Sequence, residues 1–500
     1  MESARAARVR IDWVDAAKAY GIFLVFYGHF VETVYETGNQ AALVQQKLAY
    51  SFHVPLFILL SGFVARSAAD LPGWWTFLKR QAASRLLPVL FFSLMMVPLM
   101  PLEEVLWDLM PRGPALVQAE WIDDWPDLCR QLSPPATGEQ SRPRQRLWEA
   151  LPAPTRAAAQ KSATGTEITD GERTAIIDGL NGALARPDLF AAADYPAGTL
   201  RGKDQEWLAQ DRTTTSLSLT EDEVRGRNMG LMWQALYPEH AGEHSFWSEL
   251  LGRGLDTLRG WPINIPVWFL MCLFVVELIH FLVARFLTST PRLALAIPLF
   301  YAVGWALTRN GMAWGTDWWF SRESIFLYSF FLMGHLLRRT ELLERAGGWW
   351  SRGPLFVIGS AVLLLTFDLN PGSKVVKPVV LVNLSQHGDY ALFTLTALAG
   401  FLAVVGLSRL APRLPVLQFT GRRTLILMGL NGIFFNLGNP AMALVLHIPA
   451  STGPTVLWSV LATLASLAVS LPVAWLLDRY VPQLVGRPRA QGPLLPSLAA

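Results

Sequence analysis

The stretch Arg10–Glu32, RIDWVDAAKAYGIFLVFYGHFVE, decides the fold, because it is apolar enough to enter a bilayer yet carries Asp15, Lys18 and His29. At about 100° per helical residue, Lys18 falls roughly 60° and His29 roughly 40° from Asp15, so the three share one stripe. Lys18 and His29 are then about 16 Å apart along the axis. An ionisable group at the bilayer centre costs about 3 kcal/mol or more on insertion scales, so the stripe is expected to face a protein interior or a watery cavity.

The rest of the chain agrees with a bilayer. Of its 500 residues, 52% are hydrophobic and 16% charged, against about 25% charged in soluble domains; the mean hydropathy is +0.31. The net charge is only +3, and Lys and Arg fall in short clusters between apolar segments. That distribution speaks for topology and against nucleic-acid binding. Cys129 and Cys272 are the only cysteines, and the second lies within the apolar run VWFLMCLFVVEL (267–278), so no disulfide is expected between them. Residues 1–35 begin like a secretory signal, but charges interrupt the apolar run and no small-x-small cleavage site follows, so the segment is expected to remain as the first helix.

Windows suited to about 30 Å of hydrocarbon occur at 14–34, 48–65, 86–106, 266–287, 293–308, 324–337, 354–369, 390–407, 424–446 and 456–477. With the N-terminus inside, cytoplasmic segments carry Arg5, Arg8 and Arg10, then Lys79, Arg80 and Arg85, and later the Arg338–Arg352 and Arg409–Arg423 clusters and Arg479, Arg487 and Arg489. The opposing short loops hold only Arg309 with Arg322, and Lys374 with Lys377. The positive-inside rule therefore predicts an all-α integral membrane protein of about ten transmembrane helices with both ends in the cytoplasm. The expected divisions are a membrane core over 1–106, an extracytoplasmic polar insertion over 107–262, a second membrane portion over 263–485 and a disordered tail over 486–500.

Within the insertion, RQLSPPATGEQSRPRQR (130–146) reads as a linker. By contrast, TDGERTAIIDGLNGALARPDLF (169–190) and SLTEDEVRGRNMGLMWQALYPEH (218–240) each pair a polar start with helical apolar spacing and a terminating Pro, which predicts two amphipathic helices. HAGEH (240–244) has the H-x-x-E-H order of some zinc peptidases. The neighbouring Pro238, the internal Gly242 and the want of a third ligand argue against it, so no metal is expected.

Chemistry concentrates at the front of the chain. A histidine in a low-dielectric bundle resists protonation and so suits a general base, which makes His29 the first candidate. Lys18 is placed to hold a phosphate and Asp15 to orient it, although an Asp–Lys pair at a helix end and an interfacial His would need no chemistry. In SFHVPLFILLSGFVARS (51–67), His53 and Ser61 are candidate pocket residues, Pro55 is expected to kink the helix, and Gly62 permits close helix approach. Lys79, Arg80 and Arg85 either anchor the cytoplasmic face or rim a phosphate site; Trp268 is either a belt residue or a pocket wall.

These segments resemble the membrane-bound acyltransferase 3 family, integral membrane O-acyltransferases of sugars and glycans. Its first-helix pattern, an Asp followed by a basic residue ten intervening positions before a His, matches Asp15, Lys18 and His29. A Phe-His-x-Pro-Leu-Phe segment with a following Ser-Gly-Phe matches Phe52–Phe57 and Ser61–Phe63, and a basic pair before Arg-Leu-Leu-x-Pro is similar to Lys79, Arg80 and Arg85–Pro88. Lys18 stands where many members carry Arg, and the insertion lies outside the usual pattern. The resemblance implies transfer of an acyl group, acetyl or succinyl, from cytoplasmic acyl-CoA to a hydroxyl of an extracytoplasmic saccharide or similar acceptor, in a bacterial inner membrane. Acyl-CoA is then a donor substrate and no cofactor is bound. It further implies His29 and Asp15 as catalytic residues and Lys18, Lys79, Arg80 and Arg85 as donor-binding ones. A transporter or flippase would use a similar polar pathway, but it often carries inverted repeats, and here the charged stripe is confined to the front of the chain.

Overall fold

The computed structural model describes residues 11–65, 71–109, 117, 122, 124–133, 142–195, 208, 221–237, 246–309, 319–345, 349–373, 377–411 and 414–498. Among these residues there is no β-strand, only an isolated bridge between Leu381 and Gln386. The described architecture is helical, which in the apolar segments pairs the backbone groups without water. Among the described residues, six helices are long and apolar enough to cross a membrane by length and composition.

The first helix, α1 (Asp12–Glu36), is not one of those six, because Asp12, Asp15, Lys18, Glu32 and Glu36 lower its hydropathy. It nevertheless occupies the centre. It packs against α2 (Gln40–Tyr50), α3 (His53–Phe63), α15 (Tyr390–Leu410), α16 (Pro415–Arg422), α17 (Thr424–Leu446) and α18 (Thr452–Tyr480), so its charged stripe is surrounded by protein. At Gly421 the approach of α16 is so close that a Cβ would sit 1.9 Å from the Asp15 carbonyl oxygen.

The window at 48–65, read as one span, is instead two helices that break at Ser51 and Phe52. Pro55 falls in the first turn of α3, where a missing N–H is tolerated, and so does not kink the helix. The expected close approach at Gly62 is present: its Cβ would lie 1.9 Å from Phe331 O on α13 (Ser321–Arg339). The third window extends further back than expected, into α4 (Trp74–Glu103), with a π-turn at Ala82–Leu86.

The insertion has its own apolar core, distinct from that of the membrane helices. It is built from α5 (Trp125–Leu132), α6 (Arg142–Ala150), α7 (Ala153–Ala163), α8 (Asp170–Leu184) and α9 (Glu221–Leu236). Both predicted amphipathic helices are there as α8 and α9. A capping box starts α8: Glu172 N–H donates to Thr169 Oγ1 at 3.3 Å and Thr169 N–H to Glu172 Oε2 at 2.7 Å. A hydrogen bond from Lys161 and the Thr169 N–H pull the Glu172 carboxyl down to about 2. The linker reading of 130–146 needs correction: its two ends belong to α5 and α6, and 134–141 lie outside the described residues. Cys129 is buried in this core, where burial pushes its thiol up to about 11, and Cys272 is buried in the separate core of the apolar helices.

After the insertion come α10 (Phe246–Arg259), α11 (Ile265–Phe286) and α12 (Thr290–Thr308), then α13 and α14 (Trp349–Thr366) before α15. Residues 486–498, read as a disordered tail, make defined contacts: Gln483 Nε2 donates to Ala490 O at 2.9 Å and Leu495 O at 2.6 Å, and Arg487 pairs with Asp478 at 2.7 Å.

Candidate active site

His29 lies at the end of α1 where α2 folds back alongside it. Its Nδ1 is 3.3 Å from Glu32 Oε2 and 3.1 Å from the Tyr50 hydroxyl, which itself donates to Glu32 Oε2 at 2.5 Å. Both neighbours of Nδ1 are oxygens, one a carboxylate, so Nδ1 is the protonated nitrogen and Nε2 carries the lone pair. The remaining Glu32 oxygen, Oε1, accepts from Lys377 Nζ across 345 positions of sequence. Glu32 and Lys377 are buried, whereas the His29 side chain keeps 14% of its exposure.

The surroundings fix the imidazole further. Phe435 meets it edge-on at 4.9 Å between ring centres. Tyr27 donates to Gln45 Oε1 at 2.5 Å beside it. His53 is buried 5.0 Å from the Tyr50 ring, and its Nδ1–H donates to Ala49 O at 2.8 Å. Tyr50, at the end of α2, and His53, at the start of α3, share this one wall.

The other residues singled out from the sequence lie elsewhere. Asp15 is buried against α16, with Arg422 Nε 3.9 Å from its Oδ2, and stands about 21 Å along the helix axis from His29. The half-buried Lys18 is one turn from Asp15 at that end. Arg85 makes a bidentate pair with Glu277 of α11, at 3.1 and 2.7 Å, and Gln81 shares that carboxylate at 2.6 Å. Lys79 and Arg80 line a cleft of about 760 Å³ with Thr76, Leu90 and, from the tail, Arg489. Ser61 donates to Phe57 O in its own helix at 2.7 Å. Trp268, at the start of the regular part of α11, is buried against Phe320 at 5.3 Å between ring centres. HAGEH lies outside the described residues, among which no group of three or more metal-ligating side chains occurs.

Glu32, Tyr50 and Lys377 were not anticipated. Glu32 had a signal, since three residues after His29 it must share the helix face. Tyr50 and Lys377 had none, because only tertiary packing brings them there.

Apolar helices long enough to span a membrane, packed around a central helix that carries buried charges and a carboxylate-oriented histidine, are features of integral membrane proteins with a polar interior site. Residues 11–102 match the family model of the acyltransferase 3 domain. That match supports acyl transfer in a membrane as the activity class. No curated protein and no solved structure matches the chain.

Proposed function

We propose that this protein moves an acyl group, acetyl or succinyl, from cytoplasmic acyl-CoA to a hydroxyl of an extracytoplasmic saccharide or similar acceptor, with His29 as the base. The observation that carries the reading is the contact of His29 Nδ1 with Glu32 and Tyr50, which leaves Nε2 to accept a proton. In the reaction, Nε2 takes the acceptor's hydroxyl proton while that oxygen bonds to the thioester carbon. The carbon–sulfur bond then breaks, and the imidazolium returns the proton to the departing thiolate. Glu32 holds the imidazole and stabilises its charged form, as carboxylates paired with a catalytic histidine do.

On this reading the chain spans a bacterial inner membrane about ten times with both ends inside. The cationic cleft of Lys79, Arg80 and Arg489 lies on the donor side, Lys18 and Arg85 support that end, and Asp15 acts there through helix packing instead of at the reacting atoms. The insertion, on the acceptor side, selects the acceptor.

The test is transfer by purified protein in liposomes, with labelled acetyl-CoA and succinyl-CoA against a panel of glycans. Labelled ester on a glycan is the expected result. Absence of transfer from either donor to any acceptor would refute the reading.

A further inference from the structure

We infer that Lys377, from the loop between α14 and α15, is a positioning residue that keeps Glu32 ionised and thereby keeps His29 with its proton on Nδ1. The inference rests on the acyl-transfer reading for its kinetic consequence but not for its electrostatic one.

Three observations carry it. The two carboxylate oxygens of Glu32 are divided between tasks: Oε2 faces His29 and Tyr50, and Oε1 receives Lys377. Glu32 and Lys377 are both buried, and a buried carboxylate with no counter-charge holds a proton in preference to its charge. A protonated Glu32 would satisfy Tyr50 but would no longer draw the Nδ1 proton of His29. Among the described residues, the other titratable groups facing the pair are Glu36 on α1, Tyr50 on α2 and His53 on α3, none of which brings a permanent positive charge. Lys377 is the cation built into the cluster.

The loop is held so that Lys377 stays there. His387 Nε2 donates to the buried Glu323 of α13 at 3.0 Å, and Ser385 donates to the same carboxylate at 3.1 Å. Asn370 Nδ2 donates to His387 O at 2.9 Å, while Gly372 and Gly388 take positive φ of 65° and 66°. A Cβ at Gly388 would lie 2.0 Å from Asn370 Oδ1, so the loop closes only with glycine there. Such anchoring far exceeds what a surface lysine needs.

The pH at which His29 loses its proton is read in purified full-length protein from the rate of its modification by diethyl pyrocarbonate, followed by mass spectrometry of the His29 peptide. In K377Q, Glu32 is expected to become neutral. Its attraction for the imidazolium is then lost, and the midpoint falls by about one unit. E32Q should fall likewise, and K377R should behave as wild type. An unchanged midpoint in K377Q, or a rise, would overturn the inference, since a rise means that Glu32 keeps its charge unaided. In parallel, kcat of K377Q should drop about 10- to 100-fold with KM for the donor unchanged, and K377R should restore it. The modification needs no acyl donor, so its outcome stands apart from whether the wild type transfers acyl groups at all.

Discussion

Helices α1 and α12 divide the work of a membrane protein in opposite ways. By hydropathy α12 qualifies as a span and α1 does not, yet only 17% of the apolar stretch of α12 is buried, while α1 is enclosed by six other helices. Leu295 and Leu299 of α12 are 72% and 61% exposed, as side chains facing lipid would be. Asp15 and Glu32 of α1 are buried. In a bilayer an apolar helix such as α12 is therefore free to sit at the edge, whereas the helix that carries several charges must sit in the middle, where other protein groups replace water. Hydropathy ranks how readily a segment enters lipid; it does not rank its importance.

Removing the base of α1 should have the largest effect: His29→Ala is expected to lower acyl transfer about 10²- to 10⁴-fold with membrane abundance unchanged, measured with labelled acyl-CoA beside an immunoblot. Normal transfer would leave α1 with packing alone to explain its position. The enclosure of α1 is tested by Gly421→Val, whose side chain must enter the space held by the Asp15 backbone. Overpacking of this kind costs about 1–3 kcal/mol, read as a lower melting temperature in detergent. The counterpart on α12, Leu299→Ala, is expected to change stability by no more than about 0.5 kcal/mol; a loss as large as that of Gly421→Val would erase the contrast between the helices. Smallest and most local is Glu172→Gln in the insertion. The Glu172 carboxyl is drawn from 4.5 to about 2, so its stabilisation is complete above pH 4.5 and fades as pH falls toward 2. The melting temperature of the variant should lie below wild type at pH 6, and the gap should close through that window.

Much of this was legible in the sequence for physical reasons. The Asp15–Lys18–His29 stripe was readable because helical periodicity is local, and burial of α1 followed from the cost of charge in lipid. The amphipathic helices α8 and α9 were readable from their polar starts and apolar spacing. What escaped was tertiary. Arg85 reads as a cytoplasmic anchor until Glu277, 192 positions away, is seen across from it. The break at Ser51 and Phe52 carries no Gly, and the nearby Pro55 pointed to a kink inside a helix instead of a start just before it. Lys377 sits in a loop with no pattern of its own, and only the fold reveals that it reaches Glu32. Sharing a stripe with His29 leaves Asp15 about 21 Å away along the helix axis, at the opposite end of α1.

The central place of α1 also bears on how the protein is made. This helix leaves the ribosome well before α15 to α18, which enclose it and lie within residues 390–480. Until they arrive, its carboxylates and Lys18 have no finished shelter, and the early chain must wait beside the insertion machinery or in a makeshift pairing with α2 and α3. Truncation before α15 should therefore strand the segment that hydropathy already flags as the reluctant one, and quality-control proteases would meet α1 as the least settled helix of the shortened chain.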